Sequence, residues 1–202
     1  MRLLRRLPSA TVIAIDTDPV TLSLGQAAYG DVPGLRFLDL DLRSPGWAAR
    51  LGIDPGAAID AVVSTTALHW LTAAELRDLY ATLAGLVRPG RVFLDGDHLR
   101  LPETESPVLA ALERALEERD DLRRFPEGHA GHAEACGQWW EAIAAGPVLA
   151  GASAEREQRQ VHHHGPEGTL LAVHVSGLRA AGFTEVGTIW QRGGNRLLCA
   201  VR

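Results

Sequence analysis

Residues 10–19 read ATVIAIDTDP, and the fold turns on them. Val12 to Ile15 form a short, mostly β-branched apolar run that stops at Asp16. Pro19 then opens a stretch whose apolar residues Leu22, Leu24 and Ala28 recur at helical spacing. The segment is a strand, a turn and a helix. Beyond Gly30 to Gly34, Leu35, Phe37 and Leu38 make a second short strand that runs into Asp39 and Asp41, with a loop or helix from Trp47 to Leu51. Ile59 to Val63 make a third strand, ending at Ser64, Thr65 and Thr66. Helical spacing returns at Leu68, Leu71, Leu76, Leu79, Leu83 and Leu86 and stops at Pro89-Gly90, after which Arg91 to Leu94 form a fourth strand. Strands alternating with helices predict an α/β, doubly wound, mostly parallel sheet.

The pattern changes at Gly96. Ser106 to Arg124 and Ala133 to Ala145 are helical, the first carrying Glu113, Arg114, Glu117, Glu118, Arg119, Asp120 and Asp121 on what reads as a solvated face. Residues 96–165 are therefore expected to be a helical cap inserted in a single domain spanning 1–202. After the polar stretch Glu155 to Gln160 and three histidines, Leu170 to Ala181 is a helix closed by Gly182. Strands Glu185 to Gln191 and Arg196 to Val201 follow, joined by Gly193-Gly194-Asn195. So short a join predicts an antiparallel hairpin.

Composition narrows the function classes. The 202 residues are 46% hydrophobic and 22% charged, which excludes disorder of the whole chain. A net charge of −5 disfavours a nucleic-acid partner. All 20 basic residues are arginine, so no Schiff-base or phosphate-loop lysine exists. Cys136 and Cys199 cannot build a disulfide framework and read as reduced, buried thiols, which suggests the cytoplasm. The opening MRLLRRLPSATVIAID has neither a signal-peptide pattern nor a membrane span.

Six stretches in order, ATVIAIDTDP, LRFLDLDL, IDAVVSTTALHWL, LVRPGRVFLDGDH, LRAAGFTEV and RLLCAVR, resemble the class I S-adenosylmethionine-dependent methyltransferases of the small-molecule kind. The resemblance covers most of the chain outside the insertion and implies a Rossmann-like sheet ending in the antiparallel hairpin. It also implies S-adenosylmethionine as cofactor. Asp16 matches the acid that accepts both ribose hydroxyls, with Thr17 and Asp18 beside the adenine. Asp41 and Leu42 match the next strand-end motif, which meets the adenine; Asp39 is the rival for that role. Ser64, a candidate cofactor contact, ends the strand that borders the methyl-transfer centre. A general base is optional; for a hydroxyl acceptor His69, or a histidine of the insertion, is the candidate, and Trp70, with Trp139 and Trp140 of the insertion, are candidate acceptor-pocket walls.

Each position also has a structural reading. Aspartates after strands cap helices, and tryptophans at helical spacing pack in cores. His174 is expected to pack within its helix. His162, His163 and His164, or His129 and His132, raise the question of a metal. Neighbouring strand residues point to opposite faces and no carboxylate is interleaved, so a solvated or pocket-edge role is preferred and no metal is expected.

The family's Asp-x-Gly-x-Gly-x-Gly turn is absent, and Met1 to Pro8 resemble the end of the helix that follows it. The chain thus reads as N-terminally truncated, short of one central strand, through a misassigned start, a fragment boundary or degeneration. Direct pairing of the strands ending at Asp16 and Ser64 is expected to close the gap, the alternatives being a split sheet or a homo-oligomer in which another chain fills it. The expected activity is methyl transfer to a small molecule, impaired in this chain. The alternatives are a non-catalytic relative and, with no G-x-G-x-x-G motif to support it, an NAD-dependent oxidoreductase.

Overall fold

The computed structural model describes residues 2–53, 58–159 and 167–202; His162, His163 and His164 lie outside them. The chain divides into two compact units, residues 1–53 with 135–161, and residues 54–134 with 162–202.

The first unit opens with α1 (Arg2–Arg6) and β1 (Val12–Asp16), continues through α2 (Pro19–Tyr29) to β2 (Leu35–Asp39), and includes a 3-10 turn at Trp47–Leu51. β1 and β2 pair in parallel, Val12 level with Leu35 and Asp16 level with Asp39. Asp18 starts α2, its side chain accepting the Val20 amide at 2.9 Å, with Pro19 in the first turn where no amide is needed. Buried Val20, Leu22, Leu40, Trp47 and Leu51 form the apolar interior of this unit.

The second unit holds β3 (Ile59–Thr65), α3 (Ala73–Leu86), β4 (Val87–His98) and α4 (Pro107–Arg124). α5 (His129–Ala145) begins in it; α6 (Ala150–Gln158) belongs to the first unit, and α7 (Leu171–Ala180), β5 (Glu185–Arg192) and β6 (Asn195–Val201) complete the second. Its sheet has the order β3-β4-β6-β5, with β3 and β4 parallel and the β5–β6 hairpin antiparallel as expected. Thr72 and Glu75 cap α3 reciprocally. Tyr80 and Phe93 meet edge to face at 5.5 Å amid buried Leu76, Leu79, Leu178 and Leu198.

Several expectations need correction. β1 and β3 do not pair; each is laddered to the strand across its own helical crossover, β2 and β4 respectively. Each strand thus pairs along one edge within its own strand-helix-strand unit, and neither uses its second edge for the other. Glu113 is not solvated: it is buried and ion-paired with buried Arg196 of β6, whose guanidinium also donates to the Leu99 carbonyl. Cys136 is exposed rather than buried, and both cysteines are free. Among the described residues, no helix is long and apolar enough to cross a membrane.

Candidate functional site

At the carboxyl end of the β3–β4 pair, Ser64 stands level with Asp95 and Thr65 with Gly96. Thr66 then adopts φ 49°, a left-handed conformation that a β-branched residue rarely takes, and its amide donates to the Gly96 carbonyl at 2.9 Å. This sharp exit from β3 leads into a 3-10 turn at Leu68–Trp70 that carries His69. The ring Nδ1 of His69 lies 2.8 and 2.9 Å from the two carboxylate oxygens of buried Asp97. Asp97 also accepts the backbone amides of His98 at 2.8 Å and His69 at 3.4 Å. Burial acts to raise the Asp97 pKa, but the hydrogen bonds and charge of His69, with the two amides, outweigh it and hold the carboxyl below its ordinary value. With Nδ1–H donated to a carboxylate, Nε2 is the basic nitrogen of the ring.

The backbone around His69 is held from behind by Gly168. A Cβ at that position would stand 2.4 Å from the Leu71 carbonyl oxygen and 2.8 Å from that of His69, so only glycine fits. The Gly168 carbonyl accepts from Nε2 of His174 at 2.8 Å, and His174 Nδ1 accepts the Tyr80 hydroxyl at 2.6 Å. His174 is fully buried on α7, as its helical spacing implied, and burial lowers its pKa. A neutral imidazole bridging hydroxyl and carbonyl satisfies both ring nitrogens.

Asp95 is the unusual group. It is fully buried, and neither carboxylate oxygen has a hydrogen-bond partner among the described residues. Ser64 lies near enough to favour ionisation a little but not in hydrogen-bonding geometry, and its own hydroxyl is unpartnered too. His174 Nδ1 is 3.7 Å away. Burial first, and the charge of Asp97 second, push the Asp95 pKa to about 7.

In the first unit the strand-end acids form a second cluster. Asp16, exposed at the end of β1, accepts the Thr17 and Asp18 amides on Oδ1 at 2.7 and 2.9 Å and the Thr21 hydroxyl on Oδ2 at 2.9 Å. Asp18 is buried beneath Arg156, whose Nε donates to it at 2.7 Å. Arg159 donates to both oxygens of Asp39, at 2.7 and 2.6 Å, and to the Thr17 carbonyl at 3.0 Å. These contacts, the direct hydrogen bonds above all, lower the Asp39 pKa. Asp39, not Asp41, stands level with Asp16; Asp41 folds back on Arg43 at 2.8 Å, followed by half-buried Leu42. Trp139 and Trp140 meet edge to face at 4.7 Å, and Arg156 lies 4.2 Å over the Trp140 ring.

The structure thus brings His69, Trp70 and Ser64 to one strand end, the rings of His69 and Trp70 being 6.0 Å apart. It gathers Asp16, Thr17 and Asp18 at another. Sequence reasoning assigned no role to Asp97, Asp95, Gly168, Arg156 or Arg159. Asp95 and Asp97 had a signal, as an acid pair at the end of a strand beside the one that precedes His69. The others come from segments whose proximity only the fold creates.

No family model and no curated protein sequence matches the chain. Solved structures do. An O-methyltransferase family protein from Burkholderia thailandensis is similar over 100% of this chain and 46% of its own, with TM-score 0.59 and 20% identity. The fold is that of the methyltransferases. Human N-acetylserotonin methyltransferase, solved with S-adenosylmethionine, is similar with TM-score 0.51 and 13% identity over 98% of this chain and 42% of its own. An O-methyltransferase family 2 protein from Planctomyces limnophilus, solved with apigenin, has TM-score 0.53 and 14% identity over 98% and 44%. The chain therefore spans a little under half the length of these methyltransferase-fold proteins.

Proposed function

We propose that the chain carries the ribose-binding and base-bearing parts of an S-adenosylmethionine-dependent methyltransferase acting on the hydroxyl of a small molecule. The observation that carries the reading is the His69–Asp97 pair at the carboxyl end of β3 and β4. The donor set suits the cofactor in part: Asp16 presents an exposed carboxylate, steadied by two amides, as an acceptor for ribose hydroxyls. The glycine-rich turn that the resemblance calls for is not among the 202 residues, so binding by this chain is expected to be weak.

When bound, the cofactor supplies an electrophilic methyl group on a sulfonium centre. His69 takes the acceptor hydroxyl proton at Nε2, while Asp97 fixes the tautomer and balances the imidazolium that forms. The bonds from Asp97 and the backing of Gly168 hold the ring so that orientation costs little at the moment of transfer. Trp70 supports an apolar acceptor beside the base.

The test is calorimetric titration with S-adenosylhomocysteine, paired with methyl transfer from labelled S-adenosylmethionine to a panel of small hydroxyl compounds. Asp16→Ala is expected to abolish cofactor binding. His69→Ala and Asp97→Asn should leave binding unchanged and lower transfer ~100-fold or more. Transfer that survives both substitutions removes the dyad from the mechanism. A second reading, a non-catalytic relative, is favoured by the arginines that already engage Asp18 and Asp39; absence of any Asp16-dependent binding would decide for it.

A further inference from the structure

The fold supplies what the sequence lacked around His129 and His132. α4 ends at Arg124 and α5 starts at His129, and the turn between them, with Gly128 at φ 61°, brings Asp121 back against the first turn of α5. Asp121 Oδ2 lies 3.3 Å from His129 Nδ1, and Asp121 Oδ1 lies 3.7 Å from His132 Nδ1. One ligand atom from each of the three residues falls within 4.8 Å of the others. The two histidines are three positions apart on one helix face, so both rings reach the same side.

We propose that Asp121, His129 and His132 form a binding site for a divalent transition ion of the zinc type, which clips the end of α4 to the start of α5. Ligand atoms held tetrahedrally at about 2.0–2.1 Å from a zinc ion stand roughly 3.3 Å from one another, so small rotamer shifts complete the set. Two imidazoles and one carboxylate select a borderline ion over magnesium or calcium, which prefer all-oxygen shells. One ligand is already steadied: the His132 ring stacks on Phe125, centroids 5.0 Å apart and planes within 6°. His129 is 86% exposed, so the ion's remaining positions open to water. The site is independent of the proposed methyl transfer.

The experiment uses the full chain with His162, His163 and His164 replaced by alanine and Cys136 by serine, which removes competing ligands. Co2+ is added as a spectroscopic probe and Zn2+ in competition with a chromophoric chelator. The expected result is one equivalent of bound Co2+ with the visible bands of a low-coordinate site, displaced by Zn2+, and a thermal midpoint raised by Zn2+. Adding His129→Ala and His132→Ala should weaken binding ~10-fold or more and cancel the shift in midpoint. Asp121→Asn, which keeps shape and helix packing, should weaken binding likewise. No binding by the background protein, or binding undiminished in the double-alanine variant or in Asp121→Asn, overturns the proposal.

Discussion

Arg159 grips Asp39 through two near-parallel hydrogen bonds, Nη1 to Oδ1 at 2.7 Å and Nη2 to Oδ2 at 2.6 Å. The acid held this way stands level with Asp16, where the proposed cofactor would sit. Because Asp39 is half exposed and water screens the pair, Arg159→Leu should destabilise the fold by no more than ~1 kcal/mol. The contribution belongs to an acid whose pKa is lowered by folding. It is therefore present at neutral pH and fades as pH falls through the folded-state value, below ~3.9. Denaturant titrations of both proteins from neutral to acid pH check this, the curves converging at the acid end. If Asp39 serves the cofactor, the same variant should bind S-adenosylhomocysteine more tightly.

Asp95 works in the opposite sense. Its folded-state pKa is raised to about 7, so between an unfolded value of ~4 and that point the native chain keeps a proton that the unfolded chain has released. Stability should fall as pH rises across this window, by on the order of 4 kcal/mol, and level off above it. Asp95→Asn is expected to flatten that slope. A wild-type stability that stays constant across the window would show that Asp95 is ionised at no cost.

Gly168→Ala places a methyl carbon 2.4 Å from the Leu71 carbonyl oxygen and 2.8 Å from that of His69. Backbone must move, at a cost of ~1–3 kcal/mol. Because the clash falls on the residues that carry the dyad, the proton NMR chemical shifts of the His69 imidazole should also change, whereas a surface alanine substitution would leave them alone.

The buried Glu113–Arg196 pair ties α4 to β6. Arg196→Met strands a buried carboxylate and is expected to cost ~3–5 kcal/mol, while the double variant Glu113→Leu/Arg196→Met should recover most of the loss. Chemical denaturation of the single and double variants measures the difference.

Local rules made much of this protein legible. The β-branched run closing on Asp16, the alternation with amphipathic helices, and the glycine join at 193–195 foretold strands, crossovers and hairpin, because each depends on residues adjacent in the chain. Asp16, Ser64 and His69 were singled out by the family resemblance, the first two at strand ends and His69 in the turn that follows β3. What pairs with what was not legible. Direct pairing of β1 and β3 was expected, yet each is laddered to its own crossover partner. Glu113 sits among charged residues of a helix that reads as solvated, and only the approach of β6 makes it a buried ion-pair partner. Asp97 acquires its meaning 28 residues from His69, Gly168 by backing a turn about 100 residues upstream, and Asp121 by a helical hairpin that returns it to His129. Sequence periodicity reports which face of an element is apolar. The partner of a buried charge or a metal-ligating ring is chosen by packing between elements, and that exists only in the folded chain.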